Sequence, residues 1–146
     1  MNRKNHEGFS VIGLTARVRN DEPSGIGALW ERFYQTDLRA RIPEAISADI
    51  YCVYHAYDGG HADPYAMTVG FRVSPDAICP GGLSHISVPT QTMARFEAIG
   101  PQPETLIAQW QAIWQSDLDR AFVADFDVYD SEKPHRVTVN VGVKSS

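Results

Sequence analysis

Asp127 and Tyr129 stand two residues apart in Ala124-Asp125-Phe126-Asp127-Val128-Tyr129. A strand turns alternate residues to one face, so a carboxylate and a phenol ring share a side there. A carboxylate beside aromatic rings suits an organic cation: the acid supplies charge, and desolvated ring faces add about 1–2 kcal/mol of cation–π attraction. A plainer reading stays open, in which Asp127 is solvated or pairs with a nearby Arg or Lys. Other chemistry is poorly supplied. No serine sits in a nucleophile elbow, and no glycine-rich loop could cradle a phosphate. The histidines His6, His55, His61, His85 and His135 are scattered. His55 and His61 flank a turn with Asp58 and Asp63, where a solvated turn is a better account than a metal site. Cys52 and Cys79 lack a metal-ligand spacing. Cys52 reads as a small buried hydrophobe, and a disulfide between the two is not expected in a reducing compartment. No cofactor is expected.

The composition suits one globular domain spanning residues 1–146, with 43% hydrophobic and 21% charged residues. The net charge is −5 and no segment is rich in Lys or Arg. That balance disfavours nucleic acid, whose phosphates need a basic face, and suits a cationic ligand. No apolar run approaches the ~20 residues that cross a bilayer, so no membrane partner is expected. The start, Met1 to Glu7, has no apolar stretch and does not read as a secretory signal. A cytoplasmic protein with a polar, frayed first seven residues is the expectation.

The elements come in a repeated order. Phe9–Val18 reads as a strand, and Ser24 is placed to cap a helix. Ile26, Leu29, Trp30 and Phe33 follow at helical spacing, and that helix should end before Pro43. Asp49–Tyr57 and Tyr65–Val73 read as strands around Asp58-Gly59-Gly60, and Ser74–Gly82 as a loop. Leu83–Ile99 then reads as two short strands around Pro89. A helix opens near Pro103 with the stripe Leu106, Trp110, Ile113 and Trp114, and strands follow at Phe122–Tyr129 and Arg136–Val143. Trp30-Glu31-Arg32-Phe33-Tyr34-Gln35-Thr36-Asp37-Leu38 lies over Trp110-Gln111-Ala112-Ile113-Trp114-Gln115-Ser116-Asp117-Leu118 at an offset of 80, with four of nine positions identical and others of similar type. Ala48-Asp49-Ile50-Tyr51 lies over Ala124-Asp125-Phe126-Asp127 at an offset of 76. This is an internal duplication, with repeats at about 9–73 and 83–144. The fold class is α+β: duplicated β-α-β-β units form one curved antiparallel sheet, with two helices on one face and a ligand cleft between the halves.

A duplication of this size resembles the effector-binding domain of AraC-type bacterial activators and the gyrase-inhibitor-like proteins. Gly27-Ala28-Leu29-Trp30-Glu31-Arg32-Phe33, Ala48-Asp49-Ile50-Tyr51, Ala124 to Tyr129 and the strand Val137–Val143 carry the likeness, which covers roughly Phe9 to Lys144. It is similar to the stand-alone branch, which includes mobile integron cassette proteins that bind cationic drugs. The resemblance implies an aromatic cavity between the halves and an acid on the sixth strand two positions before a tyrosine, here Asp127 and Tyr129. The family usually has glutamate there. Regulator members add a helix-turn-helix module, for which this chain has no spare residues, so direct transcriptional activity is not expected.

With the strands at an offset of 76, Ile50 and Phe126 should face the helices. Tyr51, Val53, Tyr57, Asp127 and Tyr129 should then share the opposite, open face, with Tyr54 beneath a helix. Trp30 and Trp110 sit on core stripes but could each reach the cleft with one edge. The expected function is binding of an amphipathic, cationic small molecule through Asp127, Tyr129, Tyr51, Val53, Tyr57, Trp30 and Trp110. Two alternatives are a small-molecule hydrolase using Asp127 and a protein-interaction role such as gyrase inhibition. Hydrolysis lacks a second acid or an oxyanion donor in the sequence, and an aspartate near its ordinary pKa of about 4 is a weak base.

Overall fold

The computed structural model describes residues 2–144. Its elements run β1 (Asn2–His6), β2 (Phe9–Val18), α1 (Pro23–Gln35), α2 (Leu38–Arg41), β3 (Ile50–His55), β4 (Tyr65–Val73), β5 (Ser84–Val88), β6 (Gln91–Ile99), α3 (Glu104–Gln115), β7 (Ala124–Tyr129) and β8 (Arg136–Gly142). All eight strands join one antiparallel sheet in the order β1-β6-β8-β7-β3-β4-β2-β5. Among the described residues, no helix is long and apolar enough to cross a membrane.

The strand order forces the sheet to curl. β1 lies on one edge and β2 beside the other, yet only Glu7 and Gly8 join them. Pro89 and Thr90 alone join β5 to β6 in the same way. Two residues span roughly 10 Å at full extension, so the edges must come together into a half-barrel. They meet where the His6 ring lies 5.5 Å from Phe9 and 5.2 Å from Phe126. The curl also brings backbones close at the paired Gly13 and Gly70: a Cβ on Gly70 would lie 2.0 Å from the Ile12 carbonyl oxygen, so neither position accepts a side chain without displacing main chain.

Alternation then fills both faces. On the inner face Phe9, Val11, Val53, Val88, Met93 and Phe126 form a buried cluster. On the outer face α1 lays Leu29 and Phe33 over Ile12, Leu14, Met67, Val69 and Phe71. α3 lays Leu106, Trp110 and Ile113 over Val137, Val139 and Val141. Both helices share the outer face, because Tyr54 and Tyr129 touch both clusters.

Three local expectations change. Residues 2–6 form a strand rather than a frayed end, because β6 offers an open edge and a polar strand suits an edge position; Met1 lies outside the described residues. Ser24 does not cap α1: Glu22 holds the cap position, Pro23 takes the first turn, and no side chain caps the helix. The face opposite the helices is only partly open: the curl buries Phe9, Val11, Val53 and Phe126 there and leaves a smaller cavity of about 290 Å³ beside Tyr51 and Val128.

Candidate functional site

Between α1 and α3, above the central strands β3 and β7, lies a cavity of about 380 Å³. The two helices offer equivalent positions to it at the offset of 80: Pro23 and Pro103, Ile26 and Leu106, Gly27 and Ile107, Trp30 and Trp110. Tyr54 of β3 and Tyr129 of β7 supply a second matched pair, at an offset of 75. Seven aromatic residues line the space: Trp30, Tyr54, Tyr57, Tyr65, Trp110, Trp114 and Tyr129. Their edges interlock, with Trp30 against Tyr129 at 5.1 Å and Tyr54 against Trp110 at 5.3 Å between ring centroids. Such T-shaped pairs each add about 0.5–1.5 kcal/mol beyond area burial, which favours a wall already in place when a ligand arrives.

Beneath this wall β7 places two carboxylates. Asp127 is 0% exposed. It accepts hydrogen bonds from the Tyr54 hydroxyl at 2.5 Å and from Trp110 Nε1 at 3.1 Å, and both donors belong to cavity-lining residues. Burial lifts its pKa to about 7, against the pull of those two donors, and neighbouring Asp125 lifts it further. Asp125 accepts from Gly142 N at 2.7 Å, from Arg120 Nη2 at 2.7 Å and from the Tyr57 hydroxyl. Burial moves its pKa upward while Arg120 and Tyr57 pull it back. The phenols of Tyr54, Tyr57 and Tyr129 are held well above the ordinary range, first by burial and then by the adjacent carboxylates. They stay neutral and able to donate.

The expected faces are inverted for half the set. β3 and β7 pair Ile50 with Tyr129, Cys52 with Asp127 and Tyr54 with Asp125. Asp127 and Tyr129 therefore share the helix face with Ile50, Cys52 and Tyr54. Tyr51 and Val53 point inward with Phe126: Val53 is fully buried, and Tyr51 stacks 6.2 Å from Phe126. The cause is the strand offset, which is 75 and not 76. A slip of one residue sends every side chain of a strand to the other face. Tyr57, Trp30, Trp110 and Tyr129 line the cavity, while Asp127 sits one layer below it. Reasoning from sequence passed over Tyr54, Tyr65, Arg120 and Asp125. The signal for Asp125 was present, since an acid two residues from Asp127 in a strand must share its face and needs donors of its own.

A cavity between duplicated helices, over an acid buried in the central strands, invites comparison with proteins of known kind. Residues 4–142 match the integron-associated effector binding proteins. The chain belongs to this family. Among solved structures, this effector-binding protein is similar to an integron cassette protein from the mobile metagenome of Vibrio cholerae. The TM-score is 0.79 at 24% identity, over 98% of this chain and 95% of that one. It is similar in fold to SAV2435, whose structure was solved bound to tetraphenylphosphonium, with a TM-score of 0.76 at 12% identity over 99% and 93% of the two chains. A putative bacterial transcription regulation protein from Staphylococcus aureus MU50 gives 0.77 at 14% identity, over 99% and 97%. No curated protein sequence matches.

Proposed function

We propose that this effector-binding protein takes up amphipathic organic cations in the cavity between α1 and α3. The observation that carries the reading is the seven-ring aromatic wall whose members Tyr54 and Trp110 donate to the buried carboxylate of Asp127. Ring faces attract a cation directly. An acid with a pKa of about 7 supplies negative charge once a cation favours its ionised form. Asp127 acts through Tyr54 and Trp110, whose outward-facing atoms become more electron-rich as they donate to it. The capture of tetraphenylphosphonium by SAV2435, a protein of the same fold, supports this ligand class. Tyr57, Trp30, Trp110 and Tyr129 provide the contact surface in this reading, and Tyr51 and Val53 have no part in it.

Hydrolysis is the weaker reading. Asp127 is sealed from solvent and both its oxygens accept from protein donors, which leaves it no approach to an attacking water.

Titration calorimetry with an aryl quaternary ammonium and its neutral carbon isostere tests the proposal. The cation should bind at least tenfold more tightly. Equal affinities would remove Asp127 and the aromatic wall from cation recognition.

A further inference from the structure

Arg120 also lines this cavity, and it is a residue that a site for bare lipophilic cations does not call for. Its side chain is 6% exposed. One nitrogen, Nη2, donates to Asp125 at 2.7 Å. Nε and Nη1 are buried with no partner. A guanidinium carries five N–H donors and is always charged, so three N–H bonds point at nothing that accepts them. The rings around it do not replace an acceptor: its carbon lies 4.3 Å from the Phe122 centroid, 5.6 Å from Trp110 and 6.0 Å from Tyr57. Unmade donors on a buried charge are costly, and a ligand that accepts from them removes the cost.

Trp110 stands between the two poles of the site. Its indole nitrogen donates to Asp127, and its ring lies beside the Arg120 guanidinium. Around this one ring the cavity therefore meets both a buried acid, which favours positive charge, and free donors. We infer that the natural ligand is an amphipathic cation that also carries a carboxylate, with the carboxylate seated on Arg120. The inference rests on the cation reading above and adds the second pole. Carboxylate matches guanidinium in both charge and planar donor geometry, which a hydroxyl or ether does not.

The test uses three probes of one scaffold: an aryl trimethylammonium, the betaine made by replacing one methyl with carboxymethyl, and the methyl ester of that betaine. Calorimetry on the wild-type protein alone should show the betaine binding at least tenfold more tightly than the ester or the parent cation. In Arg120→Lys, which keeps a charge for Asp125 but loses the guanidinium donors, the ratio of betaine to ester affinity should fall towards one. Wild-type protein that favours the cation over its neutral isostere but treats betaine and ester alike overturns this inference and leaves the cation reading standing. A carboxylate preference that persists undiminished in a folded Arg120→Lys protein also overturns it. A carboxylate preference without any preference for the cation supports the role of Arg120 and overturns the cation reading instead.

Discussion

Cys52 and Asp127 face each other across the centre of the sheet as register partners of β3 and β7. The offset that carries Tyr54 onto Tyr129 also carries Cys52 onto Asp127. The local two-fold axis relating the halves therefore passes through this pair. Two aromatic pairs are matched across the axis, Tyr54 with Tyr129 and Trp30 with Trp110. At the axis the match fails, with a thiol on one side and an acid on the other. Asp127 thus stands at the centre of the duplicated sheet as an acid without a matching acid in the other half.

Asp127 makes stability depend on pH in an unusual direction. Its carboxyl titrates near 7 when folded and near ~4 when unfolded. Between those values the folded protein holds the proton more tightly, so stability falls as pH rises from about 4 to about 7 and levels off above. Across that window the loss is on the order of 4 kcal/mol. Asp127→Asn keeps an acceptor for Trp110 and removes the charge. It should match the wild type in urea denaturation at pH 5 and exceed it at pH 8. Asp125 is present in both proteins, so the difference reads Asp127 together with its coupling to Asp125. A variant less stable than wild type at pH 8 would mean the carboxylate is structurally favourable as an anion.

Cation affinity should move the opposite way. The ionised acid is the form that attracts a cation, so affinity should climb between pH 6 and pH 8, by up to about tenfold per unit below the pKa. His61 also lines the cavity and stacks on Trp114 at 5.7 Å. His61→Gln, which keeps a polar side chain at that place in the wall, is the control. The slope should survive His61→Gln and vanish in Asp127→Asn.

Tyr54 is the shorter of the two donors to Asp127. Tyr54→Phe keeps the ring and removes the hydroxyl. A hydrogen bond to a charged group contributes about 1.5–3 kcal/mol, so the loss should reach that size at pH 8 and shrink towards pH 5, where the acid is protonated. Chemical denaturation at both pH values reads it. An equal loss at both would place the role of Tyr54 in packing alone.

The two faces can be told apart by a pair of tyrosines. Tyr129→Ala removes a cavity wall and should weaken cation binding by about 1–2 kcal/mol. Tyr51→Ala lies through the sheet from the cavity and should leave affinity within about 0.5 kcal/mol of wild type. Reversal of this order in calorimetry would place the ligand on the inner face.

Much of the fold was legible because hydrophobic spacing and turn residues are local signals. The helix stripes, the break at Pro89 and the tryptophan match at an offset of 80 all correspond to features of the structure. β1 was not legible, since a strand such as Arg3-Lys4-Asn5-His6 is defined by the edge it joins and not by its own side chains. The cavity tryptophans were within reach through helix periodicity. The face of Asp127 was not, because it hangs on the parity of one loop length, and motif similarity tolerates an error of one residue where geometry does not. Arg120 was invisible for a different reason: it lies outside any regular element in an isolated bridge to Val143, and no periodicity reports its direction.

The short links between β1 and β2 and between β5 and β6 have one more consequence. β1 precedes the first half but pairs with β6 of the second, and β5 opens the second half but pairs with β2 of the first. Each half lends its leading strand to the other, a reciprocal handshake inside a single chain. Neither half can satisfy its own edge alone, so the two cannot drift apart without breaking a ladder on both sides. Two covalent tethers of two residues each thus hold the curl of the sheet on which α1 and α3 sit.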